Sequence, residues 1–141
     1  MGIVLDSSIL IDAERRKRTV LQLLEGIRIR FGNAEFALSV VTVAELVHGA
    51  YRARIDSQRA ARLKFVDRLC RRFPVHPFTI QLARTLGRIE GQQAARGNVL
   101  AFEDLAIGLT ALHLGFVVVT LNGRHFERIP GLGVISNFST P

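Results

Sequence analysis

The run Phe116-Val117-Val118-Val119-Thr120 constrains the fold more than any other stretch of the chain. Four β-branched residues follow one another without polar alternation, which is the pattern of a strand buried on both faces. Directly before it, Phe102 to Leu114 is apolar nearly all round, through Leu105, Ile107, Leu109, Ala111, Leu112 and Leu114. A helix of that kind is itself buried. Gly108 lets it pack closely on a neighbour, and Gly115 ends it. A buried helix feeding a two-sided strand implies a parallel sheet covered by helices on both sides.

The rest of the chain repeats that alternation. Gly2 to Leu5 reads as a first buried strand that ends on Asp6, followed by a helix to about Arg16 capped by Ser7 or Ser8. Thr19 opens a second helix with Val20, Leu23, Leu24 and Ile27 on one face, stopped by Gly32-Asn33. Glu35 to Ser39 is a short second strand. Ser39 or Thr42 starts a third helix to about Ala53, with Val43, Leu46, Val47, Ala50 and Tyr51 as its apolar stripe and Glu45 in its first turn. Asp56 or Ser57 caps a basic fourth helix to about Arg71, with Ala60, Leu63, Val66 and Cys70 inward. Phe73 to Phe78 is a brief strand between Pro74 and Pro77. Thr79 opens a fifth helix closed by Gly97-Asn98, and a final short strand lies near Gly133 to Ser136. The expected fold is a three-layer α/β/α sandwich with a mainly parallel sheet of four to five strands. Right-handed crossovers point all strand ends one way.

No linker, repeat or low-complexity tract divides residues 1–141, so a single domain is expected. No apolar run approaches the roughly 18 residues of a membrane span, and the basic run Arg15 to Arg18 follows the first apolar segment where a signal peptide would place it before. One cysteine allows no internal disulfide, which fits a cytoplasmic chain. The formal charge is +7, and 17 of the 19 basic residues are arginine. Arginine suits phosphate geometry, so a polyanionic partner is one reading of this charge. A solvated helix face between Arg52 and Arg72 is the other.

The chemistry resides in acids. In open α/β sheets, ligands bind outside the carboxyl ends of the strands. Asp6 sits at such an end, Glu45 follows the second strand, and Glu103 and Asp104 open the buried helix. Taken singly, Glu45 and Asp104 are ordinary first-turn acids favoured by the helix dipole, and Asp6 is equally suited to a turn. Converging on one rim without a lysine, they raise one another's pKa, and a bound cation is the usual remedy. An all-oxygen donor set suits Mg²⁺ or Mn²⁺. His48, His76, His113 and His125 show no paired zinc spacing, although His125 lies close to the rim residue Asn122. A carboxylate-held Mg²⁺ in a basic protein points to phosphodiester chemistry. No GxSxG, Walker A or GxGxxG sequence competes.

Four segments in order, IVLDSSILID, TVAELVHGA, RGNVLAFEDLAIGLTALHLGFVVVTLN and RHFERIPGL, resemble the PIN-domain ribonucleases, and most of all the VapC toxins of bacterial toxin–antitoxin pairs. The resemblance spans nearly the whole chain. It implies a Mg²⁺- or Mn²⁺-dependent endoribonuclease that forms homodimers and is inhibited by a small cognate antitoxin. By the same resemblance Asp6, Glu45 and Asp104 are the first three family acids. The expected mechanism has Asp6 and Asp104 hold the metal beside Glu45, with Ser8, Thr120 and Glu103 in supporting positions. At the fourth position this sequence departs from its relatives, because Thr120 is followed by Leu121 and Asn122 instead of an acid. Asn122 accepts a hydrogen bond but adds no charge, so one resident metal is expected.

Three rivals remain. A catalytically silent RNA- or partner-binding module of the same fold would bind without cutting. A phosphoacceptor signalling domain would need a lysine after a late strand, where only Arg124 stands. A DNA flap nuclease would need helical elements that this chain is too short to hold.

Overall fold

A computed structural model describes residues 1–138 of the chain. Its elements are β1 (Gly2–Leu5), α1 (Ser7–Arg15), α2 (Val20–Phe31), β2 (Glu35–Ser39), α3 (Val40–Tyr51), α4 (Asp56–Arg72), β3 (Val75–His76), α5 (Ile80–Ala95), α6 (Phe102–Leu114), β4 (Val117–Val119), a 3₁₀ turn (Gly123–His125) and β5 (Val134–Ile135). The strands form one five-stranded sheet in the order β3-β2-β1-β4-β5, and every neighbouring pair is parallel. The chain runs outward from β1 through β2 to β3, then returns to lay β4 on the other side of β1. The strand order therefore reverses between β1 and β4.

Period-two alternation divides the core into two apolar layers. In β1, Ile3 and Leu5 face one side and Val4 the other. The first layer packs α1, α2 and α4 through Ile9, Leu10, Leu23, Ile27, Val66 and Leu69. The second packs α5 and α6 through Leu82, Leu86, Ile89, Leu105 and Leu109. Helix α3 reaches both, with Leu46 in the first layer and Val41 against the second. Each fully buried Leu or Ile contributes about 1.5–3 kcal/mol of transfer free energy. Truncating Leu10, which has no exposure, to alanine would cost ~2–5 kcal/mol through the cavity left behind.

Helix α6 is buried over seven consecutive residues, Leu105 to Ala111, as its composition requires. A Cβ on Gly108 would lie 2.6 Å from Cδ1 of Ile129 and 3.1 Å from Cδ2 of Leu132, so glycine here permits the C-terminal segment to close over the helix. Gly115 ends the helix at φ 71°. Among the described residues no helix is long and apolar enough to cross a membrane.

Several local expectations are corrected. Asp6, not a serine, occupies the N-cap position of α1, and its side chain makes no cap bond. Helix α3 begins at Val40 with Ser39 as its cap, which places Glu45 in the second turn. Tyr51 lies outside the stripe, with the Arg59 guanidinium 5.4 Å from its ring centre. Neither Asp56 nor Ser57 caps α4; Ile55 holds that position without a side-chain bond. The inward face of α4 follows Phe65, Val66, Leu69 and Phe73, so Ala60 and Cys70 point outward. Partial burial, helped by Asp67, holds the Cys70 thiol above its ordinary pKa, which disfavours the reactive thiolate.

Candidate active site

The site lies at the carboxyl ends of β1 and β4, where the strand order reverses and such sheets form their ligand crevice. The Asp6 N–H donates to the Val119 carbonyl at 2.9 Å. This bond carries the β1–β4 ladder one residue past the strand and fixes Asp6 against Thr120. Asp6 is 4% exposed and Thr120 is wholly buried. The apolar run of β1 thus does what the sequence suggested: it delivers a carboxylate to a sheltered rim.

Hydroxyl groups hold that carboxylate. Oδ2 of Asp6 accepts the Ser8 hydroxyl and the Thr120 hydroxyl, each at 2.7 Å. Both donors are themselves acceptors of backbone N–H groups, Ser8 from Leu121 at 3.0 Å and Thr120 from Asn122 at 2.9 Å. Oδ2 is therefore committed, while among the described residues Oδ1 has the Ser7 hydroxyl alone, at 3.4 Å. The same Ser7 hydroxyl lies 3.3 Å from Oε2 of Glu45 and so bridges two acids that are 39 positions apart in sequence. Sequence reasoning had given Ser7 only a capping role. Nothing in its local context signals the bridge, because Glu45 arrives from α3.

The electrostatics are those of crowded carboxylates. Burial, then Asp6, Glu103 and Asp104 in lesser degree, push Glu45 up to about 7 against a partial offset from the Ser7 bond. Burial also raises Asp104; the His125 imidazole opposes this, and Asp6 and Glu103 add to it. His125 Nδ1 stands 3.3 Å from Oδ2 of Asp104, the single close basic partner in the group among the described residues. Among the described residues neither Asp6 nor Glu45 has a lysine or arginine within salt-bridge distance. Oε1 of Glu45 is buried with no hydrogen-bond partner among the described residues.

Asp6, Glu45, Asp104 and Glu103 thus influence one another. Glu103 is exposed at the edge. The Asn122 side chain is bonded to none of the acids among the described residues; its backbone N–H supports Thr120. Asp12, near the site in sequence, instead pairs with Arg16 at 3.2 Å.

The donor chemistry fits a hard divalent cation. Half-buried carboxylates with raised pKa values, Glu45 and Asp104, and an orphaned carboxylate oxygen are unfavourable unless a positive charge or a proton joins them. No three His, Cys, Asp or Glu side chains among the described residues close into a ready-made cage. Mg²⁺ rarely needs one, since it is commonly bound by one or two carboxylates together with waters and substrate phosphate.

Comparison with known proteins gives the same direction. The family profile described as PIN domain matches residues 3–132. The chain is 30% identical over 136 residues to "Ribonuclease VapC1" of Rickettsia felis, covering 96% of both sequences. It is 34% identical over 113 residues to the "tRNA(fMet)-specific endonuclease VapC" of Salmonella typhimurium, covering 78% of this chain and 83% of that one. Its fold superposes on the toxin–antitoxin structure described as DNA-bound VapBC from Salmonella typhimurium, with a TM-score of 0.78 at 27% identity over 96% of this chain and 97% of that one.

Proposed function

The chain belongs to the PIN-domain family, and on that premise we propose that it is a Mg²⁺- or Mn²⁺-dependent endoribonuclease, the toxin of a toxin–antitoxin pair, restrained by a small VapB-type antitoxin. The relatives named ribonuclease and the VapBC complexes that share its fold support this reading. The observation that carries it is Glu45, whose buried, unpartnered Oε1 and pKa of about 7 belong to a carboxylate facing other carboxylates.

Asp6 and Asp104 would hold the ion, with Glu45 alongside. When bound, the ion supplies Lewis-acid polarisation of a phosphoryl oxygen and a lowered pKa for water. The protein's own contribution is orientation. Ser8 and Thr120 fix the Asp6 carboxylate through Oδ2 and leave Oδ1, which has a 3.4 Å contact from the Ser7 hydroxyl, to bind. Glu45, with Oε1 unpartnered among the described residues, is placed to take a proton from the attacking water. His125 steadies Asp104. Asn122 adds no charge at the fourth corner, which favours a single resident ion. The arginines of α4 supply attraction for the RNA backbone.

An antitoxin that places a basic side chain among the acids would neutralise the site directly. A homodimer is the expected assembly. Because two relatives bear the name tRNA(fMet)-specific endonuclease, initiator tRNA is the first substrate to test. The purified protein is incubated with initiator tRNA and with a mixed RNA pool, with Mg²⁺ or Mn²⁺ and with chelator. Fragments that appear only with metal, and vanish when the antitoxin is added, support the proposal. RNA binding without fragments under either metal would identify a silent binding module instead.

A further inference from the structure

We propose that the cleft between α3 and the start of α6 is a nucleobase subsite, in which the Phe102 ring stacks on a base beside the scissile phosphate. This rests on the endoribonuclease reading. Along α3, Val41, Ala44, Glu45 and His48 share one face at i, i+3, i+4 and i+7. That face meets Phe102 and Glu103 across an open cleft of about 470 Å³, within the roughly 300–1,000 Å³ typical of ligand pockets. Phe102 is 47% exposed. Its ring is held edge-on to Phe78 at 5.6 Å and 70°, so its orientation is set.

The occupant follows from charge and continuity. Glu45 is both a wall of the cleft and a member of the acid cluster, so a group in the cleft lies beside the reacting phosphate. Glu45 and Glu103 make the cleft unfavourable for a phosphate. The part of an RNA that fits is the uncharged base, with an aromatic ring to stack on and the His48 imidazole to meet a polar base edge. Single-stranded RNA is recognised in this manner, by splayed bases stacked on aromatic side chains.

The test compares wild type with Phe102→Ala and Phe102→Trp on an RNA that is cut, and on the same RNA carrying one abasic nucleotide at each position near the cut. Phe102→Ala is expected to lower kcat/KM by roughly 5- to 150-fold, the usual worth of one base–aromatic stack. Phe102→Trp is expected to retain cleavage, and the loss in Phe102→Ala is expected to disappear when one particular flanking base is missing. An equal loss on intact and abasic RNA, no loss at all, or a changed oligomeric state in sedimentation would overturn the proposal, the last by assigning the ring to an interface between copies. A second readout does not need cleavage. RNA carrying 2-aminopurine at successive positions is bound to Asp104→Asn and to Asp104→Asn/Phe102→Ala. Quenching at one position that requires Phe102 supports the subsite even if no RNA is cut. Identical fluorescence in the two proteins at every position contradicts it.

Discussion

The Thr120 hydroxyl lies 2.7 Å from Oδ2 of Asp6 and joins the ends of β4 and β1 where the strand order of the sheet reverses. That bond makes a strand-end threonine part of the site. Thr120→Val keeps the shape but removes one donor to Asp6 and the acceptor of the Asn122 N–H. The expected cost is ~1–3 kcal/mol of stability, the penalty for a buried polar group left unpaired. Urea denaturation measures it, and RNA cleavage by the same variant is expected to fall because Oδ2 then keeps only the Ser8 bond.

Glu45 makes the metal-free protein pH-sensitive. Its folded pKa of about 7 exceeds the ordinary 4.5, so between those values the folded state holds a proton that the unfolded state has released. Stability therefore falls as pH rises through that window and levels off above it. Asp104, also raised, adds a slope of the same sign. Thermal melts of metal-free protein from pH 4.5 to 8 check this. Glu45→Gln is expected to flatten the slope, and an unchanged slope would show that another group sets it.

The Ser7 hydroxyl lowers the Glu45 pKa by donating to Oε2. Ser7→Ala removes that support, so Glu45 should hold its proton to higher pH. In thermal melts of metal-free protein, the loss of stability with rising pH is expected to extend to higher pH than in wild type.

Lys17 follows the last turn of α1 at φ 56°, a left-handed conformation that favours glycine. Its N–H bonds the Glu14 carbonyl and that of Arg18 bonds Ala13, closing the helix end. Lys17→Gly relieves the strain and is expected to stabilise the fold by ~1 kcal/mol. Chemical denaturation reads this, with metal-dependent cleavage retained.

The strands and the acids were legible in the sequence for a simple reason. An apolar run that ends on Asp6 announces a strand end, and the unbroken run at Phe116–Thr120 announces a strand buried on both faces. The bounds of α6 and β2 followed from flanking residues in the same way. Helix α4 was less legible because basic residues surround it on most sides. Its weak periodicity placed Val66 correctly but turned Ala60 and Cys70 inward. The Ser7 bridge to Glu45, the His125 contact with Asp104 and the backbone role of Asn122 depend on how separate elements meet. Spacing along the chain does not carry that information.

RNA cleavage is proposed to depend on a cation held by Asp6 and Asp104. Mn²⁺ binding by calorimetry, beside RNA cleavage, for wild type, Asp6→Ala and Asp104→Asn tests it most directly. Wild type is expected to bind Mn²⁺ and cut RNA, and each folded variant is expected to lose both. Undiminished binding and cleavage in either variant would contradict the account.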